Sequence, residues 1–158
     1  TNTTANAVKG TEAPQGHGET ILLVDDEASI LEITRKILEQ NGYRVLTSTD
    51  GADACAQFAR HAADIKLVLT DIDMPIMGGV EMIQVLKRMN PAVRLVVSSG
   101  KLSGLGRTTS RSELDGLKVN AVLTKPYTAD KILNVVHAVI EHASGEIRLG
   151  DTSTPFSA

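Results

Sequence analysis

Residues 67–79 read LVLTDIDMPIMGG, and the prediction of the fold starts from this stretch. It begins with a short apolar run at 67–70, of the β-branched-rich kind that forms buried strands. Asp71 and Asp73 follow, and then come one proline and two glycines. Neighbouring carboxylates repel one another and are costly to bury without a partner. Two acids at the end of a buried strand therefore indicate either a turn or a site that supplies positive charge.

The composition is that of one globular domain. The chain has 158 residues, 42% of them hydrophobic, which is enough for a real core. Its 16 basic and 19 acidic residues give a net charge of -3, which offers no electrostatic attraction to nucleic acid or to an anionic membrane. Cys55 is the only cysteine, so no intramolecular disulfide can form, and this fits a cytoplasmic location. No apolar run approaches the roughly 20 residues that span a bilayer, so no membrane contact is expected of this segment, although a parent protein could be membrane-anchored.

Both flanks of the sequence are polar and lack any hydrophobic period. We expect residues 1–19 to be a flexible linker or tail and residues 144–158 to be a flexible C-terminal tail, which leaves 20–143 as the folded domain. The chain begins without a methionine. These flanks indicate a domain taken from a longer protein, and nothing after residue 143 resembles a DNA-binding helix-turn-helix.

Between the flanks, short apolar runs alternate with stretches of helical period. The runs, each typical of a buried parallel strand, are 21–24, 43–47, 66–70, 93–97 and 119–123. Helices are predicted where Ile30, Ile33, Ile37 and Leu38 recur before Asn41-Gly42, and at 51–61, 79–89 and 128–142, the last with Thr128 as its N-cap. Strands that alternate with helices predict an α/β fold with a doubly wound, five-stranded parallel sheet.

Polar residues whose side chains could bind a ligand or take part in a reaction follow four of the five predicted strands. Asp25 and Asp26 follow the first strand, and Asp71 follows the third. Ser98-Ser99 follow the fourth, and Lys125-Pro126 follow the fifth. In an open α/β sheet, ligands bind outside the carboxyl ends of the strands. We therefore expect these residues to meet at one edge of the sheet.

The residue types favour metal-assisted phosphoryl chemistry. Crowded carboxylates raise one another's pKa unless a cation intervenes, and Mg²⁺ prefers carboxylate and water oxygens while leaving positions for phosphate. With Mg²⁺ and Lys125 neutralising phosphoryl oxygens, Asp71 is the predicted nucleophile. A serine hydroxyl could then donate to the new phosphoryl group. Each residue alone also has an ordinary role as a helix cap, a turn former or a solvated cation, but four such coincidences at successive strand ends are hard to accept.

The stretches ILLVDDEASI, LVLTDIDMPIMGG, LVVSSG and LTKPY, in this order, resemble the receiver domain of two-component response regulators. The resemblance covers roughly residues 20–143. It implies a flavodoxin-like fold with strand order 2-1-3-4-5. It also implies that Asp71 accepts a phosphoryl group from a histidine on a histidine kinase or a histidine phosphotransfer protein, with self-catalysed transfer and dephosphorylation. An aspartyl phosphate would then favour one of two loop arrangements, so the domain is expected to be a switch.

The resemblance also implies a role for each site residue. Asp26 and Asp71 would bind Mg²⁺ directly, Asp25 would act through water, and the backbone carbonyl of Asp73 would complete the protein ligands. Ser99, rather than Ser98, corresponds to the switch hydroxyl. Lys125 corresponds to the lysine that contacts the phosphoryl group, and Pro126 follows it in the cis form.

Three features depart from the family pattern. Val122 stands where the family usually has an aromatic ring that moves with the switch hydroxyl, which puts a ring-coupled relay in doubt. The segment between the fourth and fifth strands is rich in Gly, Ser and Thr, so the fourth helix region is expected to be irregular over 101–111. The acidic side chain of Asp73 lies next to the acceptor in sequence and is expected to repel phosphate or to alter dephosphorylation.

Two other functions remain open at this level. A haloacid-dehalogenase-like phosphatase also has an Asp-x-Asp after a strand, but there the motif lies on the first strand and the acidic pair comes last. A pure interaction module would keep the acidic pocket without being phosphorylated. The flanks favour the receiver part of a hybrid sensor histidine kinase over a stand-alone regulator. The cognate kinase, the stimulus, the output, the phosphoryl lifetime and the oligomeric state cannot be read from the sequence.

Overall fold

The computed structural model describes residues 15–74, 77–100 and 116–142. Five parallel strands form one sheet in the order β2-β1-β3-β4-β5, which confirms the predicted doubly wound architecture. The elements are β1 (Thr20–Val24), α1 (Ala28–Gln40), β2 (Arg44–Ser48), α2 (Gly51–His61), β3 (Ile65–Asp71), α3 (Gly79–Met89), β4 (Leu95–Ser99), β5 (Ala121–Thr124) and α4 (Ala129–Glu141).

Alternate residues of the central strands face two separate layers of the core. One layer joins the side chains of α2 and α3, including Phe58 and Met82, to Leu22 and Val68 on the sheet. The other layer joins α1 and α4 to the opposite face of the same strands, and Leu69 of β3 lies within it. Because both faces are covered, the strands read as continuous apolar runs rather than as alternating ones.

Local signals set the helix ends where the sequence predicts them. Thr128 caps α4, because its hydroxyl accepts a hydrogen bond from the backbone N–H of Lys131 at 3.2 Å. Asn41 follows the last residue of α1, and Gly42 then adopts a φ of 94°, a conformation that glycine reaches at little cost. Helix α3 ends at Met89, ahead of the proline at 91, as predicted.

Two strands start two residues later than their apolar runs predict. The run 93–97 becomes β4 at Leu95–Ser99, because a turn hydrogen bond from Val93 N–H to the Asn90 carbonyl occupies the first residues. The run 119–123 becomes β5 at Ala121–Thr124. In consequence Ser98 and Ser99 are the last residues of β4 instead of the first residues after it.

Gly79 allows the stretch that carries the acids to turn tightly into α3. A Cβ added at this position would lie 2.7 Å from the Cα of Ile72 and 2.8 Å from the carbonyl oxygen of Asp71. The first turn of α3 can therefore lie against the end of β3 only because residue 79 has no side chain. The N–H of Gly79 also donates to the carbonyl of Ile72 at 3.1 Å.

The domain boundaries stay predictions, since most of both flanks lies outside the described residues, as does the expected irregular segment 101–111. At the start of the described chain, the N–H groups of Gly16 and Gly18 donate to the carbonyls of Asn41 and Gly42, both at 2.7 Å. This part of the first flank therefore lies against the domain. Among the described residues, no helix has the length and apolar character needed to cross a bilayer.

Candidate functional site

The sheet brings the predicted polar residues to one edge. Strand order reverses between β1 and β3, which are neighbours in space, and Val24 pairs with Thr70 at their carboxyl ends. Asp25 follows β1 directly, and Asp71 is the last residue of β3. The site thus lies at the topological switch point, where open α/β sheets bind their ligands. The structure confirms that these acids meet.

Asp71 is a buried carboxylate that interacts with an N–H group and an ammonium group. The residue is 5% exposed. One oxygen accepts from the N–H of Asp73 at 3.2 Å, and the other lies 3.3 Å from the Nζ of Lys125. Burial is the main cause that raises the pKa of Asp71 to about 6, and the negative charge of Asp25 adds to it, while the Asp73 N–H and Lys125 act in the opposite direction.

Lys125 is shared between two carboxylates. Its Nζ donates to Asp25 at 3.1 Å in addition to its contact with Asp71, although Lys125 lies a hundred residues from Asp25 in the chain. Burial alone lowers the pKa of the ammonium, but the attraction of the two carboxylates outweighs it and the net shift is upward. Lys125 is therefore charged and lies where an anion bound to Asp71 would meet it.

Three neighbouring acids at this edge offer ligands for a cation. Oxygens of Asp25, Asp26 and Asp71 lie within 4.8 Å of one another. Mg²⁺ usually keeps several waters and binds one or two carboxylates directly, so two direct bonds and one contact through water fit these three acids. The carboxylates offer the hard oxygen donors that Mg²⁺ prefers. The residues present therefore fit a magnesium ion.

Asp25 and Asp26 differ in what already occupies their oxygens. Asp25 is 2% exposed; one of its oxygens accepts from the N–H of Glu27 at 2.9 Å, and the other accepts from Lys125. Asp26 is exposed and, within the described part of the chain, has no hydrogen bond or ion pair. Asp26 is thus the more available direct ligand, and Asp25 is better placed to act through water.

The two serines at the end of β4 are both buried, but among the described contacts only the hydroxyl of Ser99 donates to an acid of this edge. Ser99 is fully buried, and its hydroxyl donates to the Oδ2 of Asp73 at 3.4 Å. Ser98 pairs with Asp71 through the β3–β4 register, and its carbonyl accepts from Ile72. This arrangement favours Ser99 over Ser98 as the hydroxyl that faces the site. The contact between Ser99 and Asp73 was not anticipated from the sequence, because it joins the end of β4 to the loop after β3.

The two supporting residues lie in and just after β5. The peptide bond between Lys125 and Pro126 is cis, as the resemblance implied. Val122 is half-buried and packs against the core layer of α2 and α3. An aliphatic side chain at position 122 therefore fills part of the interior, and no aromatic ring stands there to move with Ser99.

A groove next to Lys125 was also not anticipated. It has a volume of about 390 Å³ and is mostly apolar, with lining residues Ile30, Ile33, Thr34, Ile37, Lys125, Pro126 and Tyr127. Ile33, predicted as part of the apolar stripe of α1, is 60% exposed because it faces this groove rather than the core. The hydroxyls of Thr34 and Tyr127 lie 3.4 Å apart across it. The wide apolar stripe of α1, broader than one core contact needs, was the signal that could have revealed it.

The sequence of this chain is similar to those of known proteins. The sequence profile of the family described as "Response regulator receiver domain" matches residues 21–137. The transcriptional regulatory protein KdpE of Mycobacterium tuberculosis is 30% identical over 131 residues, which are 82% of this chain and 54% of that protein. The CAI-1 autoinducer sensor kinase/phosphatase CqsS of Vibrio cholerae is 32% identical over 123 residues, 77% of this chain and 17% of that protein. The chain spans about half the length of the first curated relatives it matches.

Solved structures share the architecture. The crystal structure of a response regulator receiver protein from Sinorhizobium medicae aligns with a TM-score of 0.67 and 27% identity, and covers 80% of this chain and 98% of that one. The likeness therefore extends over nearly the whole of a receiver protein.

Proposed function

This chain belongs to the response regulator receiver domain family, and from that premise we propose that Asp71 is its phosphoacceptor, with Mg²⁺ held by Asp26 and Asp71. Domains of this family are the phosphoacceptors of two-component systems, and they interact with histidine kinases or phosphotransfer proteins. The observation that carries the assignment is the contact between the buried Asp71 carboxylate and Lys125, beside two further carboxylates at the switch point of the sheet.

The surroundings of the four acids favour Asp71 as the nucleophile. Asp26 and Asp73 are exposed, whereas Asp25 and Asp71 are buried and each has a contact on both carboxylate oxygens. Both Asp25 and Asp71 have a neighbouring ammonium that can neutralise a phosphoryl oxygen. The contacts of Asp71 are the longer ones, 3.2 and 3.3 Å against 2.9 and 3.1 Å for Asp25, so an oxygen of Asp71 is released more easily for attack. In the transfer, an oxygen of Asp71 forms the bond to phosphorus while the bond from phosphorus to the donor's histidine nitrogen breaks.

The ligand set proposed for Mg²⁺ follows from the availability of each oxygen. Asp26 and Asp71 would bind the ion directly, Asp25 would reach it through water, and the backbone carbonyl of Asp73 would complete the protein ligands. When bound, the ion supplies positive charge to phosphoryl oxygens that one lysine alone cannot neutralise. Three carboxylates against one ammonium leave the ionised site at -2 (one minus three), so both the ion and Lys125 are required for an anionic substrate to approach.

Ser99 and Lys125 are the residues proposed to respond to phosphorylation. A phosphoryl group on Asp71 adds acceptor oxygens near the Ser99 hydroxyl and the Lys125 ammonium. Both groups have acidic partners in this structure, Asp73 for Ser99 and the Asp25–Asp71 pair for Lys125. A new, stronger acceptor would draw them from these partners and so shift the end of β4, which carries Ser99, and the segment after β5, which carries Lys125.

The partner is proposed to be a protein, either a histidine kinase or a histidine phosphotransfer protein, that covers the apolar groove beside the site. Asp71 is only 5% exposed, so a donor histidine must approach along the mouth of the site. The groove shares Lys125 with that mouth and exposes Ile33. A donor that packs on Ile33 would gain apolar contact in the position that brings its histidine to Asp71.

The parent protein and its location are further proposals. The lone Cys55 and the family suggest work in the cytoplasm, and the net charge of -3 suggests that this segment contacts neither nucleic acid nor a membrane surface. The similarity to CqsS is compatible with a hybrid sensor kinase as the parent.

The test is phosphorylation by a small donor. With Mg²⁺ and acetyl phosphate, intact mass should increase by one phosphoryl group, and Asp71→Asn or added EDTA should abolish the increase. Asp73→Asn should still be modified, because residue 73 contributes only its backbone to the ligand set. If the wild-type protein is never modified, or if Asp71→Asn is modified to the same extent, Asp71 is not the acceptor and the interaction module becomes the better hypothesis. Sustained turnover of p-nitrophenyl phosphate would instead indicate a phosphatase.

The role of the groove as a docking surface is tested by comparing two phosphoryl donors, a protein and acetyl phosphate. Ile33→Ser should slow phosphotransfer from a donor protein while leaving the rate with acetyl phosphate unchanged, because only the protein donor contacts the groove. Met89→Ser is the matched control, since Met89 is also an exposed large apolar residue but lies at the end of α3. Equal slowing by both substitutions, or slowing with both donors, would exclude the groove as the docking surface.

A further inference from the structure

Asp73 contacts both the proposed acceptor and the proposed switch hydroxyl. Its backbone N–H donates to the Oδ1 of Asp71 at 3.2 Å, and its carboxylate accepts from the hydroxyl of Ser99 at 3.4 Å. Ser99 is fully buried at the end of β4, whereas Asp73 lies at the exposed start of the loop after β3. A residue of the loop after β3 thus holds the hydroxyl at the end of β4.

We propose that Asp73 is a positioning residue which holds the Ser99 hydroxyl in the unphosphorylated state and competes with a phosphoryl group on Asp71 for that hydroxyl. The inference rests on the proposed function of Asp71. A serine hydroxyl has one proton to donate, so it cannot serve the Asp73 carboxylate and a phosphoryl oxygen at the same time. Phosphorylation must therefore break the Ser99–Asp73 hydrogen bond before Ser99 can contact the new group.

The competing acceptor is a charged one. A hydrogen bond to a carboxylate is stronger than one to a neutral acceptor, and a phosphoryl oxygen is also anionic. In the phosphorylated protein, the state with Ser99 bound to Asp73 and the state with Ser99 bound to the phosphoryl group are therefore closer in free energy than they would be if residue 73 were apolar. Asp73 in this way sets how much of the phosphoryl interaction is available to drive the switch.

Asp73 has a second effect, which the test must separate from the first. Its negative charge repels an incoming anion whether or not Ser99 is present. The charge effect disappears in Asp73→Asn, which keeps a carbonyl oxygen that can accept from Ser99. The competition for the hydroxyl disappears in Asp73→Ala, and it is also absent wherever Ser99 is replaced by alanine.

The experiment measures the affinity for beryllofluoride, an aspartyl phosphate mimic, at saturating Mg²⁺. The proteins are the wild type, Asp73→Ala, Ser99→Ala, the double variant and Asp73→Asn. Asp73→Ala should increase the affinity by about fivefold more in the presence of Ser99 than in the Ser99→Ala background, which corresponds to one net hydrogen bond. Asp73→Asn should gain an amount between these two effects of Asp73→Ala, because its neutral oxygen still accepts from Ser99 but more weakly than the carboxylate does.

The outcomes separate this inference from the proposed function. If Asp73→Ala changes the affinity by the same factor with and without Ser99, Asp73 acts through charge alone and the competition does not exist. If Asp73→Ala weakens binding, the inference is also wrong. If the wild type binds no beryllofluoride, or Asp71→Asn binds it equally well, the proposed function itself fails. Thermal unfolding in EDTA shows whether each variant is folded, and a purely structural role for Asp73 would lower the melting temperature without the Ser99-dependent change in affinity.

Discussion

Replacing Asp71 by asparagine should make the protein more stable at neutral pH. The pKa of Asp71 in the folded state is about 6, against an ordinary value of 3.8, and burial is the main cause. A carboxylic acid with a raised pKa binds its proton more tightly in the folded state than in the unfolded one. Its contribution to stability is therefore fully present below about pH 4 and is lost as the pH rises through about 6.

The magnitude follows from the shift. Two pKa units correspond to about 3 kcal/mol of unfolding free energy, which the ionised carboxylate costs the folded wild type above pH 6. Asparagine has nearly the same shape and no charge, but its amide nitrogen would face the Lys125 ammonium if its oxygen keeps the N–H of Asp73. We therefore expect a net gain of about 1 to 3 kcal/mol for Asp71→Asn at pH 7.5.

Urea unfolding followed by circular dichroism, in EDTA and between pH 4.5 and 7.5, measures this gain. The wild type should lose stability across this window, and Asp71→Asn should lose less of it. Mg²⁺ should stabilise the wild type more than the variant, by about 2.7 kcal/mol at a hundred times the dissociation constant. Asp53→Asn is the control of opposite sign, because hydrogen bonds from Ser48 and Gln57 lower the pKa of Asp53. Equal or lower stability of Asp71→Asn at pH 7.5 would refute the role given to desolvation.

Three further predictions concern the surroundings of the site. Lys125→Gln removes the cation shared by two buried carboxylates, so it should raise the pKa of Asp71 further and lower the stability above pH 6 in EDTA, measured by urea unfolding; an unchanged pH profile would contradict this. Gly79→Ala should destabilise the protein by about 1 to 3 kcal/mol, because the new methyl group meets backbone atoms of Asp71 and Ile72. Gly78→Ala, whose methyl group would have its nearest contact at 3.7 Å, should cost only about 0.5 kcal/mol, since Gly78 is the N-cap of α3; thermal melts of both variants test the difference. Thr128→Ala should cost about 1 kcal/mol through loss of the α4 cap, and Thr128→Ser should restore most of it in the same assay.

The sequence predicts the sheet well because its signals are local. Continuous apolar runs such as 67–70 need no knowledge of the partner strand to be recognised, and Thr128 and Gly42 mark helix ends by their own chemistry. The starts of β4 and β5 are less predictable. There an apolar residue such as Val93 is buried in a turn before the strand, and hydrophobicity alone cannot separate the two environments.

The sequence predicts which residues meet at the site, but it does not predict which of them form hydrogen bonds or ion pairs with one another. The parallel topology places Asp25, Asp71 and Lys125 at one edge of the sheet, even if the predicted strand ends are in error by a residue or two. By contrast, the contact of Ser99 with Asp73 depends on the path of the loop after β3 relative to the end of β4. The groove likewise depends on the distance between α1 and Tyr127, and the hydrophobic periodicity of a helix does not give its distance from a neighbouring segment.

Desolvation of Asp71 links the stability of the fold to its proposed chemistry. With a pKa of about 6, roughly nine-tenths of the carboxylate is ionised at pH 7, so the nucleophilic form is abundant. The ionised carboxylate is poorly solvated, which costs the folded state free energy. Binding of a cation, or formation of a bond to phosphorus, neutralises the carboxylate charge and removes this cost. The same burial that weakens the folded protein at neutral pH therefore favours occupation of the site. A substitution that exposes Asp71 to water should lower its pKa, stabilise the unoccupied protein and weaken beryllofluoride binding together, and if these three changes separate, burial is not their common cause.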